Sequence, residues 1–213
     1  MKPILTLLIS LLTTSMIFAQ LGIKAGVNAS TVRLENELGL SVSNKQAATG
    51  WQTGLFYRLE LSGALAVQPE ILYVERGTEF EIFNVPRSRT EAMVEGETKY
   101  VEVPVLLMLK LGDLPLNIQA GVYGAYLTDV EYTFTDGLFD VGVQQVDNNP
   151  ENYNRSDWGF VGGVGIEFLN VNIDLRYTQG WQPAEGAFQY RNVAYLETAR
   201  NDALMLNIGY RFW

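Results

Sequence analysis

Residues 171–178 read Val-Asn-Ile-Asp-Leu-Arg-Tyr-Thr. Odd positions are apolar and even positions are polar or charged. Successive side chains of a β-strand point to opposite faces, so this stretch is a strand with one greasy and one polar side. The same period of two recurs along the chain. Trp158, Phe160, Val164, Ile166 and Phe168 alternate with Asp157, Gly159, Val161, Gly163 and Glu167. Leu204, Leu206, Ile208, Tyr210 and Phe212 alternate with Met205, Asn207, Gly209 and Arg211. Upstream, Leu21, Ile23, Ala25, Val27 and Ala29 face away from Gly22, Lys24, Gly26, Asn28 and Ser30. Four further segments behave alike: Trp51–Leu61, Leu65–Arg76, Tyr100–Lys110 and Leu116–Tyr126. Each strand is about ten residues or slightly longer. A tilted strand needs roughly 9–11 residues to cross a bilayer, whereas ordinary globular strands average about five or six.

The connections alternate between short and long. Leu61–Ala64, Gly112–Leu114 and Leu169–Asn170 are tight turns carrying Gly, Asp or Asn. Val32–Thr49, Thr78–Thr98, Glu131–Arg155 and Gln182–Asp202 are long. Sorting loops by end in this way belongs to barrels that span an outer membrane. The expected fold is therefore all-β: an eight-stranded antiparallel up-and-down transmembrane β-barrel with short periplasmic turns and four long external loops. Pro69 and Pro104 lack a ladder N–H and fall on neighbouring strands, which predicts a local bulge or bend there.

Alternation does not say which face points inward. The polar face mixes small residues with charges of both signs, as the narrow interior of an eight-stranded barrel requires. It predicts a structural polar network in the lumen made of Lys24, Arg58, Glu70, Arg76, Glu102, Asp174, Arg176 and Arg211. Glu60, Lys110 and Glu167 share that face. Aromatic residues near strand ends on the apolar face, Trp51, Tyr73, Tyr126, Trp158, Tyr177 and Tyr210, are expected at the membrane interfaces. The reverse arrangement, apolar side chains around a ligand, would make a soluble secreted ligand-binding barrel.

The first residues are read as an address. Lys2 precedes an uncharged run from Ile4 to Phe18, and Ala19 is a small residue suited to cleavage. Residues 1–19 are expected to be a cleaved signal peptide and 20–213 the barrel domain. The apolar run is about fifteen residues, short of the roughly twenty that a spanning helix needs. Export followed by barrel closure implies the outer membrane, with its lipid as the surrounding partner.

Composition narrows the chemistry. The 213 residues contain no His and no Cys, and 24 acidic residues outnumber 15 basic ones. There is no imidazole base or ligand, no thiolate and no disulfide. The acidic balance disfavours nucleic acid. The four long connections hold 15 acidic and 7 basic residues, so most of the acidity is placed outside the barrel. Arg58, Glu70, Arg76 and Glu102 could form an ion path or a carboxylate pair, but a packed salt-bridge network explains them more simply. The oxygen-rich Asp147–Asn152 lacks calcium-loop spacing and reads as a solvated turn. The glycine-rich 159–165 precedes no helix and so is no nucleotide loop. No catalytic, cofactor-binding or metal-binding residue is assigned, and no cofactor is expected.

Several motifs carry a family resemblance. They are Gly22-Ile23-Lys24-Ala25-Gly26-Val27-Asn28, Val67-Gln68-Pro69-Glu70-Ile71-Leu72-Tyr73 and Tyr100-Val101-Glu102-Val103-Pro104-Val105-Leu106-Leu107. Gly121-Val122-Tyr123-Gly124-Ala125-Tyr126-Leu127 and the ending Gly209–Phe212 complete the set. Together they resemble the PorT-like outer-membrane β-barrel proteins of Bacteroidetes over nearly the whole mature chain. The resemblance implies an outer-membrane barrel, one branch of that family serving type IX protein secretion. The expected role is a non-enzymatic envelope barrel, structural or binding a protein partner through its external loops or periplasmic turns. A secretion-system component is the alternative and a soluble binding barrel the second alternative.

Overall fold

A computed structural model describes residues 19–35, 42–82, 92–136, 144–146, 155–181, 184–190 and 193–212. The expected signal peptide and the Asp147–Asn152 turn lie outside the described residues. Among the described residues, eleven strands form one antiparallel sheet. They are β1 (Ala19–Glu35), β2 (Val42–Gln46), β3 (Ala48–Glu60), β4 (Leu65–Ile82), β5 (Ala92–Lys110), β6 (Leu116–Asp136), β7 (Gln144–Val146), β8 (Ser156–Phe168), β9 (Val171–Gly180), β10 (Ala184–Tyr190) and β11 (Val193–Arg211).

Eight of these are the staves, in the order β1, β3, β4, β5, β6, β8, β9, β11. The last stave pairs with the first, from Gly22↔Arg211 to Glu35↔Thr198. That closure leaves no open edge in the barrel wall, as hydrocarbon demands. The three extra strands are short and lie at the end away from the tight turns: β2 pairs with β4, β7 with β6, and β10 with β11.

The side-chain alternation resolves the inside–outside question. Leu175 is 45% exposed and its neighbour Arg176 is 2% exposed. Ile23, Ile71, Val105, Val122, Val164 and Ile208 are likewise exposed, while Lys24, Glu70 and Asn207 are buried. The exposed apolar residues run around every stave. A contiguous belt of this kind is far larger than soluble monomers show, and lipid is what covers it. The soluble-barrel reading needs the opposite orientation and is overturned. The interior is not purely polar, however. Phe56, Leu72, Val74, Leu106 and Met108 also point inward and are buried.

Two expectations are corrected. The connections expected to be long loops are partly strand. β4 and β5 remain paired out to Ile82↔Ala92, and β5 and β6 out to Ala92↔Asp136. Pairing persists there because backbone hydrogen bonds need no apolar face. Second, Pro69 and Pro104 cause no register shift. Pro69↔Val105 and Leu72↔Glu102 belong to the same register, with the intervening pairs absent from the ladder. Register shifts fall elsewhere: Thr128 is the extra residue of β6, between Tyr100↔Leu127 and Lys99↔Asp129, and β2 slips against β4 between Ser43 and Gln46.

The tight turns match their sequences with one exception. Gly112 takes φ +60° between β5 and β6. In the two-residue link from β8 to β9 the positive φ, 54°, belongs to Leu169 rather than to Asn170.

Candidate functional site: the buried polar lumen

The lumen is built from alternate residues of every stave, and three tiers of charge stack along it. The middle tier is a quartet. Lys24 of β1 donates to Glu70 of β4 at 2.8 Å and lies 3.1 Å from Asp174 of β9. Arg176 of β9 donates two parallel hydrogen bonds to Glu70, Nη1 to Oε2 and Nη2 to Oε1, each 2.9 Å. Its Nε lies 2.8 Å from Asp174. All four side chains have 2% exposure or less, and their charges cancel. Burying an ion costs several kcal/mol unless its partners are close and complete. Here they are. Gln68 donates to Glu70 at 2.6 Å, Arg176 Nε donates to Gln119 at 2.9 Å, and Asn207 donates to Asp174 at 2.8 Å. Gln52 links on to Asn207 and Asn28 to Gln52, each at 2.8 Å.

The tier on the loop side is centred on Arg76. Its Nη2 donates to Glu102 at 2.6 Å, and its Nη1 lies 3.6 Å from Asp157. Tyr100 and Tyr123 flank the guanidinium, with ring centres 5.3 and 5.8 Å away. Such contacts contribute about 2 kcal/mol or more when desolvated. The two tyrosines belong to a buried apolar cluster with Ala125, Leu127 and Val130. At the tight-turn end Arg58 pairs with Glu167 across the barrel and donates its Nε to Gln68 at 2.8 Å. Arg211 donates to Gln20 at 2.6 Å and to the Leu169 carbonyl at 2.7 Å.

The eight residues expected in the lumen all point inward, but they do not converge on one point. Arg58, Glu70, Arg76 and Glu102 in particular are divided among all three tiers. Each acid of the quartet is held between cations. Among the described residues no group of acidic side chains is arranged to hold a metal. Glu167, which the sequence placed on the lumen face, and Asp157, which it placed on the polar side of β8 without a role, complete the outer tiers. Strand parity was the signal available, since both lie on the inward side of β8.

The glycine run on β8 is explained by this packing. A Cβ at Gly163 would strike the Leu175 carbonyl and the Arg176 stem. At Gly165 it would strike Asn117 and Gln119. The glycines leave room for the residues that hold Arg176.

On the outer surface, Trp51 packs against Tyr73 with ring centres 5.6 Å apart, and Tyr210 meets Phe212 edge-on at 6.1 Å. Trp158 stacks on Trp181 at 5.7 Å, a partner not singled out from sequence. Tyr177 sits opposite Gly162, four residues short of Trp181 and so deeper in the belt.

A closed barrel with an apolar exterior, a packed polar interior and loops sorted by end is an integral outer-membrane β-barrel. Within that class, the chain belongs to the outer membrane protein beta-barrel domain family, which matches residues 13–183. No curated protein matches the chain. Among solved structures it is similar to Ail, the attachment invasion locus protein of Yersinia pestis, solved in complex with the heparin analogue sucrose octasulfate. That pair shares 16% identity, covers 91% of this chain and 99% of Ail, and has a TM-score of 0.44. It is also similar to Neisserial surface protein A, at 11% identity, 91% and 99% coverage and a TM-score of 0.43. The outer membrane protein W of E. coli gives 16% identity, 91% and 98% coverage and a TM-score of 0.35.

Proposed function

We propose that this outer-membrane barrel is non-enzymatic, that its lumen network is structural, and that its external strands and loops engage a partner of the envelope. The carrying observation is the middle quartet. Lys24, Glu70, Asp174 and Arg176 neutralise one another in full burial, and none of their buried polar atoms lacks a partner. A catalytic acid or base must reach a substrate. These carboxylates are taken up by the quartet's own cations and by the amides of Gln68, Asn172 and Asn207. The absence of His and Cys supports the same reading. Residues 1–19 serve as the export signal, a reading that rests on Lys2, the uncharged run Ile4–Phe18 and Ala19. The motifs quoted above support PorT-like kinship as the finer family assignment, without a secretion role.

A deletion strain, scored for secretion, permeability and surface binding, tests the reading. Altered permeability or surface binding with secretion intact is expected. A selective loss of secreted cargo would transfer the role to the secretion-system alternative.

A further inference from the structure

One flank of the barrel's outer surface differs from the rest of the belt. Gly124 of β6 points outward, and a Cβ built there would meet nothing within 4 Å. Its neighbours make a depression. Val103 of β5 and Trp158 of β8 pair with it on either side, and Val122 and Tyr126 lie below and above on β6. All four walls are exposed apolar or aromatic side chains. Trp158 is braced by its stack on Trp181, whose ring also meets Phe160 edge-on at 5.2 Å.

A cation sits directly above. Arg155 Nη1 donates to the Tyr126 hydroxyl at 3.1 Å, which holds the guanidinium on the outer surface. The Arg155 carbonyl accepts from Leu127 N–H at 2.7 Å, fixing its backbone against β6. A charge-neutral ion pair shares this rim, and the exposed carboxylates of Glu97 and Glu131 face each other beyond it, so Arg155 is the cation the hollow itself presents. Lys99 of β5 lies two residues above Val101, the partner of Tyr126, and is ion-paired with Asp129 at 2.9 Å. The bulged Thr128 donates to the Lys99 carbonyl at 2.9 Å. The rim lies at the end of the belt away from the tight turns, the end at which an outer-leaflet headgroup would meet it.

An apolar depression with a guanidinium at its headgroup end has the chemistry of a lipid site: a chain in the hollow and an anionic head on the cation. Arginine suits a phosphate because its planar fork donates two hydrogen bonds at once. We propose that this flank docks a phosphorylated lipid of the outer leaflet, with an acyl chain over Gly124 and a phosphate on Arg155.

The test uses the full barrel in nanodiscs, titrated with bisphosphorylated lipid A and with the same lipid dephosphorylated, bound lipid being counted by native mass spectrometry. Wild type is expected to prefer the phosphorylated lipid about fivefold to tenfold, the scale of one charge-assisted hydrogen bond. Arg155→Gln should abolish that preference. Gly124→Leu fills the hollow and should weaken both lipids. Heat-modifiable gel mobility checks that each variant is folded; if Gly124→Leu fails, Gly124→Ala replaces it with a smaller loss expected. Equal binding of the two lipids by wild type overturns the proposal. So does a preference that survives Arg155→Gln, or lipid affinity indifferent to a folded Gly124 variant.

Discussion

Arg176 and Glu70 meet as two parallel forks, Nη1 on Oε2 and Nη2 on Oε1, each at 2.9 Å, although 106 residues separate them in the chain. The pair joins β9 to β4 across the lumen, and Lys24 ties β1 to the same carboxylate. One side chain therefore cross-links three staves that do not all neighbour one another in the wall.

Removing that carboxylate leaves two buried cations with Asp174 as their only acid in the quartet. Glu70→Ala should cost about 3–5 kcal/mol, the range for breaking a buried ion pair from one side. The measurement is denaturant unfolding of the refolded barrel in detergent. Glu70→Gln keeps the volume but not the charge and should fall below wild type as well. A loss under about 1 kcal/mol for Glu70→Ala would place the network's contribution at the level of exposed pairs and refute a structural role.

The inward placement of Asp174 and Arg176 was legible from the sequence, because lipid on one side enforces a strict period of two through Val171–Thr178. Their partner was not. Whether Arg176 meets Glu70 or Glu102 depends on the stagger of staves far apart in the chain, and no local pattern encodes that stagger. The strand extensions were hidden for the opposite reason. Beyond Tyr126 the period of two continues, Val130, Tyr132 and Phe134 against Glu131, Thr133 and Thr135, but the Thr128 bulge reverses its phase and no bilayer requires the extra length, while pairing continues to Asp136. Trp181 was missed because it follows the last alternating residue of β9 and reads as the start of a connection.

Gly163 should be intolerant of any side chain. Gly163→Val would drive Cβ into the Leu175 carbonyl and the stem of Arg176, both held by the ladder and the quartet. Overpacking of this kind costs about 1–3 kcal/mol. The folded fraction after refolding, read by heat-modifiable mobility, should drop. Gly124→Val, which meets open space on the lipid side, is the control and should refold as wild type does.

The turn from β8 to β9 can be improved. Leu169 holds φ 54° and is 78% exposed. A left-handed backbone costs an L-residue with a bulky side chain roughly 1–2 kcal/mol, and Asn tolerates it better than Leu. Leu169→Asn is expected to raise the unfolding midpoint modestly. The Leu169 carbonyl, which accepts from Arg211 at 2.7 Å, is retained in the variant. A lowered midpoint would mean that the leucine side chain contributes more at the periplasmic interface than its backbone conformation costs.

Depth in the membrane can be read from charge placed on one strand. Val105 is the middle outward residue of β5, and Leu109 lies four residues nearer the tight turn; they are 43% and 46% exposed. Solvent exposure alone predicts that an arginine would be equally harmless at both. Lipid predicts otherwise, because a cation at the bilayer midplane costs about 2–4 kcal/mol and one near the interface about 0–1 kcal/mol. Val105→Arg should therefore destabilise the barrel in bilayers by about 1–4 kcal/mol more than Leu109→Arg does, from the same depth dependence. Unfolding from liposomes of fixed chain length measures the difference. Thinner bilayers should shrink it, since the same strand then places Val105 closer to water. Equal costs at the two positions would mean that the belt is not centred on Val105.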